Sequence, residues 1–340
     1  MTSFMEAQND KGAYKQPTDN LPSEISSLLS NSSTASGLGH LLGHVMSGCR
    51  RIADNLRAGD QYSTEQVGTQ NAFGDNQLDV DVKTDVVLFD ALKDSGVVHV
   101  GASEENPIEV PCGGTGYSAG FDPLDGSSIY DANFAVGTIM GIWPGATLLG
   151  RKGSEQAAAL VVQYGPRVTM ALALNAGVTV TGKAASVELT MLSRGWKVTI
   201  PEIVIKAKAK TFAPGNLRAT QDNKAYSELV NYWITNKYTL RYSGGLVPDV
   251  YHIFIKGQGV LSNASSPSCK AKLRLLFEAA PIALIVEAAG GESCACPSEA
   301  AESMLPVSLL EVPIDDLDRR VGVCYGSSEE VTRFRSTIFS

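Results

Sequence analysis

The strongest chemical signal in the chain is the eight-residue segment 121–128, which reads Phe-Asp-Pro-Leu-Asp-Gly-Ser-Ser. Its proline and glycine permit a sharp turn between two carboxylates. Such a turn can bring the side chain of Asp122, the carbonyl of Leu124 and the side chain of Asp125 around one hard cation, because Mg²⁺ prefers oxygen ligands. The segment therefore predicts a divalent-cation site.

The end of the same segment could bind phosphate. If a helix opens there, the backbone amides of Gly126, Ser127 and Ser128 form its N-terminus, and helix N-termini bind phosphate readily. A metal site and a phosphate site would then lie within a few residues of each other. The alternative is an ordinary turn with an aspartate or serine cap.

Two adjacent glutamates after a predicted strand offer a second set of carboxylates. Glu104 and Glu105 end the sequence Gly-Ala-Ser-Glu-Glu. Paired glutamates on a loop are usually solvated surface. They matter here because phosphate-ester hydrolysis with several metal ions requires a second carboxylate cluster.

Residues 272–278, Lys-Leu-Arg-Leu-Leu-Phe-Glu, combine two bases with an acid. Lys272 and Arg274 share one face and could contact phosphate. Glu278 directly precedes an apolar stretch, where an unpaired carboxylate is costly. A metal ion would satisfy this carboxylate, and so would a buried salt bridge.

A further acidic loop spans residues 71–81 and holds Asp75, Asp79 and Asp81 around a glycine. These acids could serve the same site. They are equally typical of a helix start, where the helix dipole favours acidic side chains.

Hydrophobic spacing predicts the elements that must position these residues. It indicates an amphipathic helix over 38–57 that stops at Gly59, and a second helix that ends before Gly96. Ser327 and Glu330 have the spacing of a capping box for a last helix. Further helices are predicted over 156–162, 223–236, 249–256 and from 272–277 through 289. Strands are predicted over 97–100, 134–143, 168–174, 178–181, 187–191 and 321–325. A loop is predicted over 60–76.

This mixture of strands and helices predicts an α/β (α+β) layered sandwich, with mixed sheets between helix layers. We expect a flexible tail over 1–37, because residues 23–36 are rich in serine and threonine and lack an apolar period. A metal- and phosphate-binding domain is expected over 38–200 and a second α/β domain over 201–340.

Composition limits the class of protein. The 340 residues are 44% hydrophobic and 19% charged, which is typical of a globular chain. The net charge of −8 argues against a nucleic-acid partner, which needs a basic surface. An anionic substrate is still compatible, because a bound cation can reverse the local field. No apolar run reaches the roughly 18 residues of a membrane span, so no membrane partner is expected.

The cysteines and the N-terminus bear on compartment. Six cysteines are sparse for a disulfide scaffold, which favours a reducing compartment. Cys294 and Cys296 are not accompanied by a second pair of thiols at zinc-binding spacing, so they are not expected to bind metal. His40 and His44 are spaced as in a zinc-binding helix, but no glutamate follows His40, so they are not expected to bind metal either. The first arginine is Arg50, whereas transit peptides are rich in arginine. We expect a cytosolic protein, or a plastid protein if a leader has been removed.

Three motifs together resemble one enzyme family. Residues 101–105, 121–128 and 272–278, in this order and spacing, resemble the fructose bisphosphatase and sedoheptulose bisphosphatase family, a group of Mg²⁺-dependent, lithium-sensitive phosphatases. The likeness covers roughly residues 38–336. Five stretches resemble the sedoheptulose branch more closely: 74–81, 136–145, 212–220, 240–250 and 270–278. Fructose bisphosphatases usually carry two lysines where Leu78 and Asp79 stand here.

The resemblance implies a role for each site residue. Two or three Mg²⁺ ions, or Mn²⁺ in their place, would be bound by Glu104, Glu105, Asp122, the Leu124 carbonyl, Asp125 and Glu278. Asp81 and Glu105 would orient and deprotonate the attacking water, and Asn71 and Asp75 would lie on a loop that closes over the metals. The scissile phosphate would be held by Gly126, Ser127 and Ser128. The sugar and the distal phosphate, in the second domain, would be held by Asn216, Arg218, Arg241, Tyr242, Gly244 and Lys272.

The same resemblance implies hydrolysis of the 1-phosphate of a seven-carbon sugar bisphosphate, with a six-carbon substrate or both as the alternative. It also implies a homodimer or a tetramer, since Arg241 matches an arginine that reaches the neighbouring subunit's site. An inositol phosphate is less favoured, because Arg218, Arg241 and Lys272 suit a second phosphate. A non-catalytic sugar-phosphate sensor would be expected to lack one or more metal carboxylates, and all are present.

Overall fold

The computed structural model describes residues 19–33, 35–59, 66–70, 76–297 and 306–340, with the backbone alone at 66–70 and 76–77. The helices in these residues are α1 (Ser23–Leu28), α2 (Leu38–Ala58), α3 (Asp79–Asp94), α4 (Lys224–Thr235), α5 (Leu246–Lys256), α6 (Ala280–Ala288) and α7 (Ser328–Ile338). The strands are β1 (Gln66–Gln70), β2 (Asn76–Leu78), β3 (Val98–Ser103), β4 (Val110–Pro111), β5 (Tyr117–Asp125), β6 (Val136–Pro144), β7 (Ala158–Tyr164), β8 (Val168–Leu174), β9 (Ala185–Leu192), β10 (Gly195–Ile200), β11 (Thr211–Gly215), β12 (Thr239–Leu240), β13 (Val260–Asn263), β14 (Glu292–Cys296) and β15 (Gly322–Gly326).

Helices and sheets alternate in five layers. Helices α2 and α3 cover one face of an eight-stranded sheet of order β10-β9-β8-β7-β6-β5-β3-β4. Helices α5 and α6 pack between its other face and a five-stranded sheet of order β12-β11-β13-β15-β14. Helices α4 and α7 cover the outer face of the smaller sheet. The predicted α/β layered sandwich with mixed sheets is confirmed.

Most elements follow the hydrophobic pattern. Helix α2 buries Leu41, Leu42 and Val45 on one stripe, as its apolar period predicts. It ends at Gly59, whose φ of 73° is the left-handed conformation that glycine adopts at low cost. None of the described helices is long and apolar enough to cross a membrane.

Two predicted elements in the larger sheet are wrong. The helix predicted over 156–162 is strand β7, which pairs with β6 and β8 and is buried on both faces. A strand buried on both faces shows an apolar run without alternation, and periodicity cannot separate such a run from a buried helix. The strand predicted over 178–181 is a 3₁₀ turn, Ala176–Val178, followed by an isolated bridge from Thr179 to Leu29.

The flexible tail predicted over 1–37 is wrong from residue 19 onward, and residues 1–18 lie outside the described part. Helix α1 buries Ile25 completely, and Asp19 forms an ion pair with Arg50 at 2.8 Å. Leu21, Leu28 and Leu29 also pack against the core, and Leu29 forms an isolated bridge with Thr179, so tertiary contacts fix the segment although it has no apolar period. The loop predicted over 60–76 is also wrong in part, because β1 and β2 form an antiparallel pair there.

The capping box predicted for α7 is wrong, although Ser327 is the N-cap residue. The Ser327 hydroxyl instead accepts a hydrogen bond from the Gly259 amide at 3.2 Å. The Glu330 carboxylate accepts hydrogen bonds from Trp233 and Tyr238, each at 2.8 Å. Tertiary partners on α4 and beyond it therefore replace the local cap.

Candidate active site

The predicted metal carboxylates converge at one edge of the larger sheet. Strands β3 and β5 run parallel side by side, so their carboxyl ends meet at the same edge. Glu104 follows β3 directly, and Asp122 lies near the end of β5. One carboxylate oxygen from each of Glu104, Asp122 and Glu278 lies within 4.8 Å of the other two.

Glu278 reaches this cluster from a π-helical turn, Leu275–Ala279, that leads into α6. Isolated π-turns are rare and occur often at functional sites. Strand β5 passes close to this turn because Gly120 has no side chain: a Cβ there would lie 2.7 Å from a methyl carbon of Leu276. The glycine lets the Asp122 and Glu278 segments approach each other.

Burial and mutual repulsion raise the pKa values of the carboxylates in this cluster. Burial, together with Glu104 and Asp125, raises the pKa of Asp122 well above its usual range. Burial and Glu104 do the same for Glu278. Burial raises the pKa of Asp125 to about 7, against the opposing hydrogen bonds from Val247 and Leu246. Like charges this close disfavour each other's ionisation, and a nearby cation offsets that cost.

The prediction that Arg274 contacts phosphate is wrong, because its side chain is a buried structural cation. It forms ion pairs with Glu104 and, from Nε, with Oδ1 of Asp318 at 2.6 Å. Its backbone amide also donates to the Glu278 carboxylate at 2.5 Å. The apolar neighbours of Arg274 in the sequence draw it inward, and Asp318 was the partner that local spacing did not reveal.

Asp81 lies in the first turn of α3. It meets the turn of residues 126–128, which is predicted to bind phosphate and is here called the phosphate turn. Burial and Glu105 raise the pKa of Asp81 to about 7, while a hydrogen bond with Ser127 opposes the shift. The structure therefore brings Asp81, Glu105 and Ser127 together. Asn71 and Asp75 lie outside the described residues.

The phosphate turn itself is shorter than predicted. Gly126 has a φ of 84°, which favours glycine, and a single 3₁₀ turn of Ser127–Ile129 follows in place of the predicted helix. Ser127 and Ser128 are thus presented at a sharp corner beside the acidic cluster.

Asp125 joins two segments. One is the turn of residues 122–125, called the metal turn because it is predicted to bind the cation, and the other is the loop of residues 241–245 before α5, called the sugar loop because it is predicted to bind the sugar. The Asp125 carboxylate accepts hydrogen bonds from the amides of Leu246 at 3.2 Å and Val247 at 2.6 Å, at the start of α5. Gly244 lies in the loop just before them.

Asp249 fixes the loop that carries Gly244, a role that sequence reasoning missed. It is buried, and its carboxylate accepts hydrogen bonds from the amides of Ser243 at 2.7 Å and Gly244 at 3.4 Å. An aspartate within the apolar run of α5 was the available signal.

The remaining predicted substrate residues differ in exposure and contacts. Arg218, Arg241 and Lys272 are exposed, Tyr242 is half-exposed, and Arg218 interacts electrostatically with Tyr242. Asn216 differs from them: its amide nitrogen donates to the carbonyls of Ala264 at 2.8 Å and Cys269 at 2.9 Å. That side chain supports the loop that leads to Lys272.

Comparison with known proteins decides the family. The family model "Fructose-1-6-bisphosphatase, N-terminal domain" matches residues 24–184, and "Fructose-1-6-bisphosphatase, C-terminal domain" matches residues 205–339. The chain is 45% identical over 302 residues to the chloroplastic sedoheptulose-1,7-bisphosphatase of Chlamydomonas reinhardtii, covering 89% of this chain and 74% of that protein. The chain belongs to the fructose-1,6-bisphosphatase family. The resemblance predicted from three motifs is confirmed.

Two further comparisons support the same family assignment. A class 1 fructose-1,6-bisphosphatase of Syntrophotalea carbinolica is 40% identical, over 75% of this chain and 77% of that protein. A crystal structure of a Toxoplasma gondii protein, described as a candidate sedoheptulose-1,7-bisphosphatase, superposes with a TM-score of 0.82 at 38% identity, over 95% of this chain and 99% of that one.

The donor set fits the divalent metal that the fructose-1,6-bisphosphatase family implies. The clustered groups are all carboxylates, and hard oxygen ligands suit Mg²⁺ or Mn²⁺. Burial and mutual repulsion raise their pKa values, and a bound cation would oppose that shift by favouring the ionised carboxylates. Thiol and imidazole groups are absent from this cluster.

Proposed function

We propose that the protein hydrolyses the 1-phosphate of sedoheptulose-1,7-bisphosphate, giving sedoheptulose 7-phosphate and inorganic phosphate with the help of Mg²⁺. The observation that carries the chemistry is the buried cluster of Glu104, Asp122 and Glu278 beside the phosphate turn. The Chlamydomonas relative supports the seven-carbon substrate. The Syntrophotalea relative supports the alternative, hydrolysis of fructose-1,6-bisphosphate or of both.

Each side chain then has a task. Glu104, Glu105, Asp122, Asp125, Glu278 and the Leu124 carbonyl would hold two or three divalent cations. When bound, these cations would supply Lewis-acid stabilisation of the attacking and leaving oxygens. Asp81, with its pKa near 7, and Glu105 would orient a water molecule and take its proton onto a carboxylate oxygen. Gly126, Ser127 and Ser128 would position the scissile phosphate.

Binding of the distal phosphate falls to local basic groups. Arg218, Arg241 and Lys272 are exposed, and Arg218 interacts electrostatically with Tyr242. These three cations would attract an anion to a protein whose net charge is −8. The binding energy of this phosphate would help to place the reacting one.

The oligomeric state of the protein and its location in the cell are part of the same proposal. We infer a homodimer in which Arg241 reaches the partner's site, and a cytosolic location. In the described residues, the Arg241 guanidinium hydrogen-bonds to the adjacent Leu240 carbonyl, which leaves its charge available to a ligand. Co-expression of Arg241→Ala with an Asp122→Asn subunit tests this. If Arg241 completes the partner's site, each mixed dimer keeps one intact site and its activity exceeds the mean of the two parent dimers, whereas an arginine that acts within its own subunit gives that mean.

The primary test measures phosphate release from both bisphosphates, with Mg²⁺, side by side. Faster release from the seven-carbon sugar supports the proposal, equal rates support dual specificity, and release from neither overturns it. Glu105→Gln should lose at least about 100-fold in rate while keeping substrate affinity. Glu228→Gln is the matched control, since Glu228 lies on the exposed face of α4 in an ion pair with Lys224.

A further inference from the structure

The metal turn contains a β-bulge. In the pairing of β5 with β6, Asp122 lies opposite Ile139 and Asp125 lies opposite Gly137. Three steps along β5 therefore match two along β6, and the extra residue disrupts the ladder locally. Pro123, inside the bulge, has no backbone N–H to donate. Ordinary ladder hydrogen bonds therefore do not fix this turn.

A side chain from β6 supplies the missing connection. The hydroxyl of Thr138, which is fully buried, donates to the carbonyl of Pro123 at 2.8 Å. The same hydroxyl lies 2.9 Å from the hydroxyl of Tyr164 on β7. A threonine hydroxyl has one proton. Since that proton goes to Pro123, Tyr164 must be the donor to Thr138.

The Tyr164 hydroxyl also meets α2. It hydrogen-bonds with the Cys49 thiol, whose pKa burial raises to about 12. Cys49, Tyr164, Thr138 and the Pro123 carbonyl thus form a buried row of hydrogen-bonded groups that runs from α2 to the turn.

We propose that Thr138 and Tyr164 are positioning residues for the metal site, which hold the bulge at Pro123 so that its flanking carboxylates bind the divalent cation. Neither hydroxyl is a metal ligand, so their effect passes through the backbone of the turn. The inference rests on the proposed metal-dependent phosphatase function. Groups that orient metal ligands typically contribute 10- to 100-fold in metal affinity.

The test compares Thr138→Val, which removes the hydroxyl at nearly constant shape, with Thr138→Ser, which keeps it. Mn²⁺ binding is measured directly by calorimetry and electron paramagnetic resonance, alongside kcat, KM and the thermal midpoint. We expect Thr138→Val to weaken Mn²⁺ binding by about 10-fold with KM for the sugar bisphosphate nearly unchanged, and Thr138→Ser to restore it. Tyr164→Phe should weaken binding less, since Thr138 can still donate to Pro123.

Thr179→Val is the matched control. The Thr179 hydroxyl is also buried and also donates to a carbonyl, that of Lys183 at 2.7 Å, but it lies in a loop outside the site. It should change the thermal midpoint without changing Mn²⁺ affinity. If Thr138→Val behaves like this control, or does not fold while Tyr164→Phe binds Mn²⁺ normally, the inference is overturned.

Failure of the proposed function is distinguishable from failure of this inference. A parent protein that binds Mn²⁺ but releases no phosphate contradicts the activity, while the affinity comparison still decides the role of Thr138. A parent protein that binds no Mn²⁺ overturns both.

Discussion

The Asp125 carboxylate lies 2.6 Å from the backbone nitrogen of Val247 and accepts its hydrogen bond. One side chain thus belongs to the metal turn of the larger sheet and also caps the first turn of α5. Negative charge at a helix N-terminus is favourable. The contact therefore ties the position of the sugar loop before α5 to that of the acidic cluster.

Substitution of Asp249 should separate substrate binding from metal binding. Asp249→Asn removes the charge that holds the Ser243 and Gly244 amides, so the loop loses its fixed shape. We expect KM to rise about 10-fold, or ~1.4 kcal/mol, with Mn²⁺ affinity unchanged. Asp125→Asn should impair both. Steady-state kinetics with Mn²⁺ calorimetry checks this, and a parallel loss of metal affinity in Asp249→Asn would contradict it.

Substitution of Arg274 should make the unfolding free energy of the protein more sensitive to Mg²⁺. Arg274→Met leaves Glu104 and Asp318 without their buried cation, which we expect to cost about 3–5 kcal/mol of unfolding free energy. Saturating Mg²⁺ should restore more stability to this variant than to the parent, because the ion replaces the lost positive charge. Thermal unfolding with Mg²⁺ and with a chelator measures the difference.

The control for that experiment is Arg151→Met. Arg151 forms an ion pair with Glu155 at 3.5 Å, outside the acidic cluster. Its response to Mg²⁺ should equal that of the parent. An equal Mg²⁺ response in Arg274→Met would refute the prediction.

Asp85 should make stability fall as pH rises. Burial raises its pKa to about 6, although Ser103 and Asn106 hydrogen-bond to it. An acid whose pKa is higher in the folded than in the unfolded state favours folding when protonated. That contribution is fully present below the unfolded value of 3.8 and is lost as pH rises through about 6.

The measurement compares the parent with Asp85→Asn in chemical denaturation between pH 4 and pH 8. The parent's unfolding free energy should fall relative to the variant's by up to about 3 kcal/mol over this range. A difference between the two proteins that stays constant with pH would contradict the assigned pKa.

Glu330 should contribute more to stability than a helix cap does. Glu330→Ala leaves the buried Trp233 N–H and the Tyr238 hydroxyl without their acceptor, at a cost of about 3 kcal/mol or more. Ser327→Ala removes a single acceptor and should cost about 1 kcal/mol. Urea denaturation of the two variants checks this. Small, equal losses would contradict the larger tertiary role assigned to Glu330.

Local signals predicted the parts of the site that are local in the chain. The segment 121–128 and the pair Glu104 and Glu105 were found because their residue types and spacing carry the chemistry. Arg274 was misassigned because its partners, Glu104 and Asp318, are distant in sequence. Asp249 was missed because its function depends on a loop conformation that no spacing rule describes.

The fold was likewise predicted only where the local sequence carries a periodic pattern. Helix α2 was predicted correctly because one apolar stripe faces the sheet and polar residues face outward. Strand β7 was mistaken for a helix because neighbours cover both of its faces, so its sequence carries no periodic contrast. Helix α1 is held by Ile25 together with Leu21, Leu28 and Leu29, a set of tertiary contacts that composition alone could not indicate.

The separation of Asp122 and Glu278 along the chain has a consequence for biosynthesis. Every strand of the larger sheet has left the ribosome before the segment carrying Glu278 is made, and Asp318, which anchors Arg274, comes later still. A chain that ends before Glu278 therefore lacks one of the three clustered carboxylates, so the cluster forms only after most of the protein has been made. Under the proposed function, a prematurely terminated product would bind the metal poorly and would leave sugar phosphates unhydrolysed.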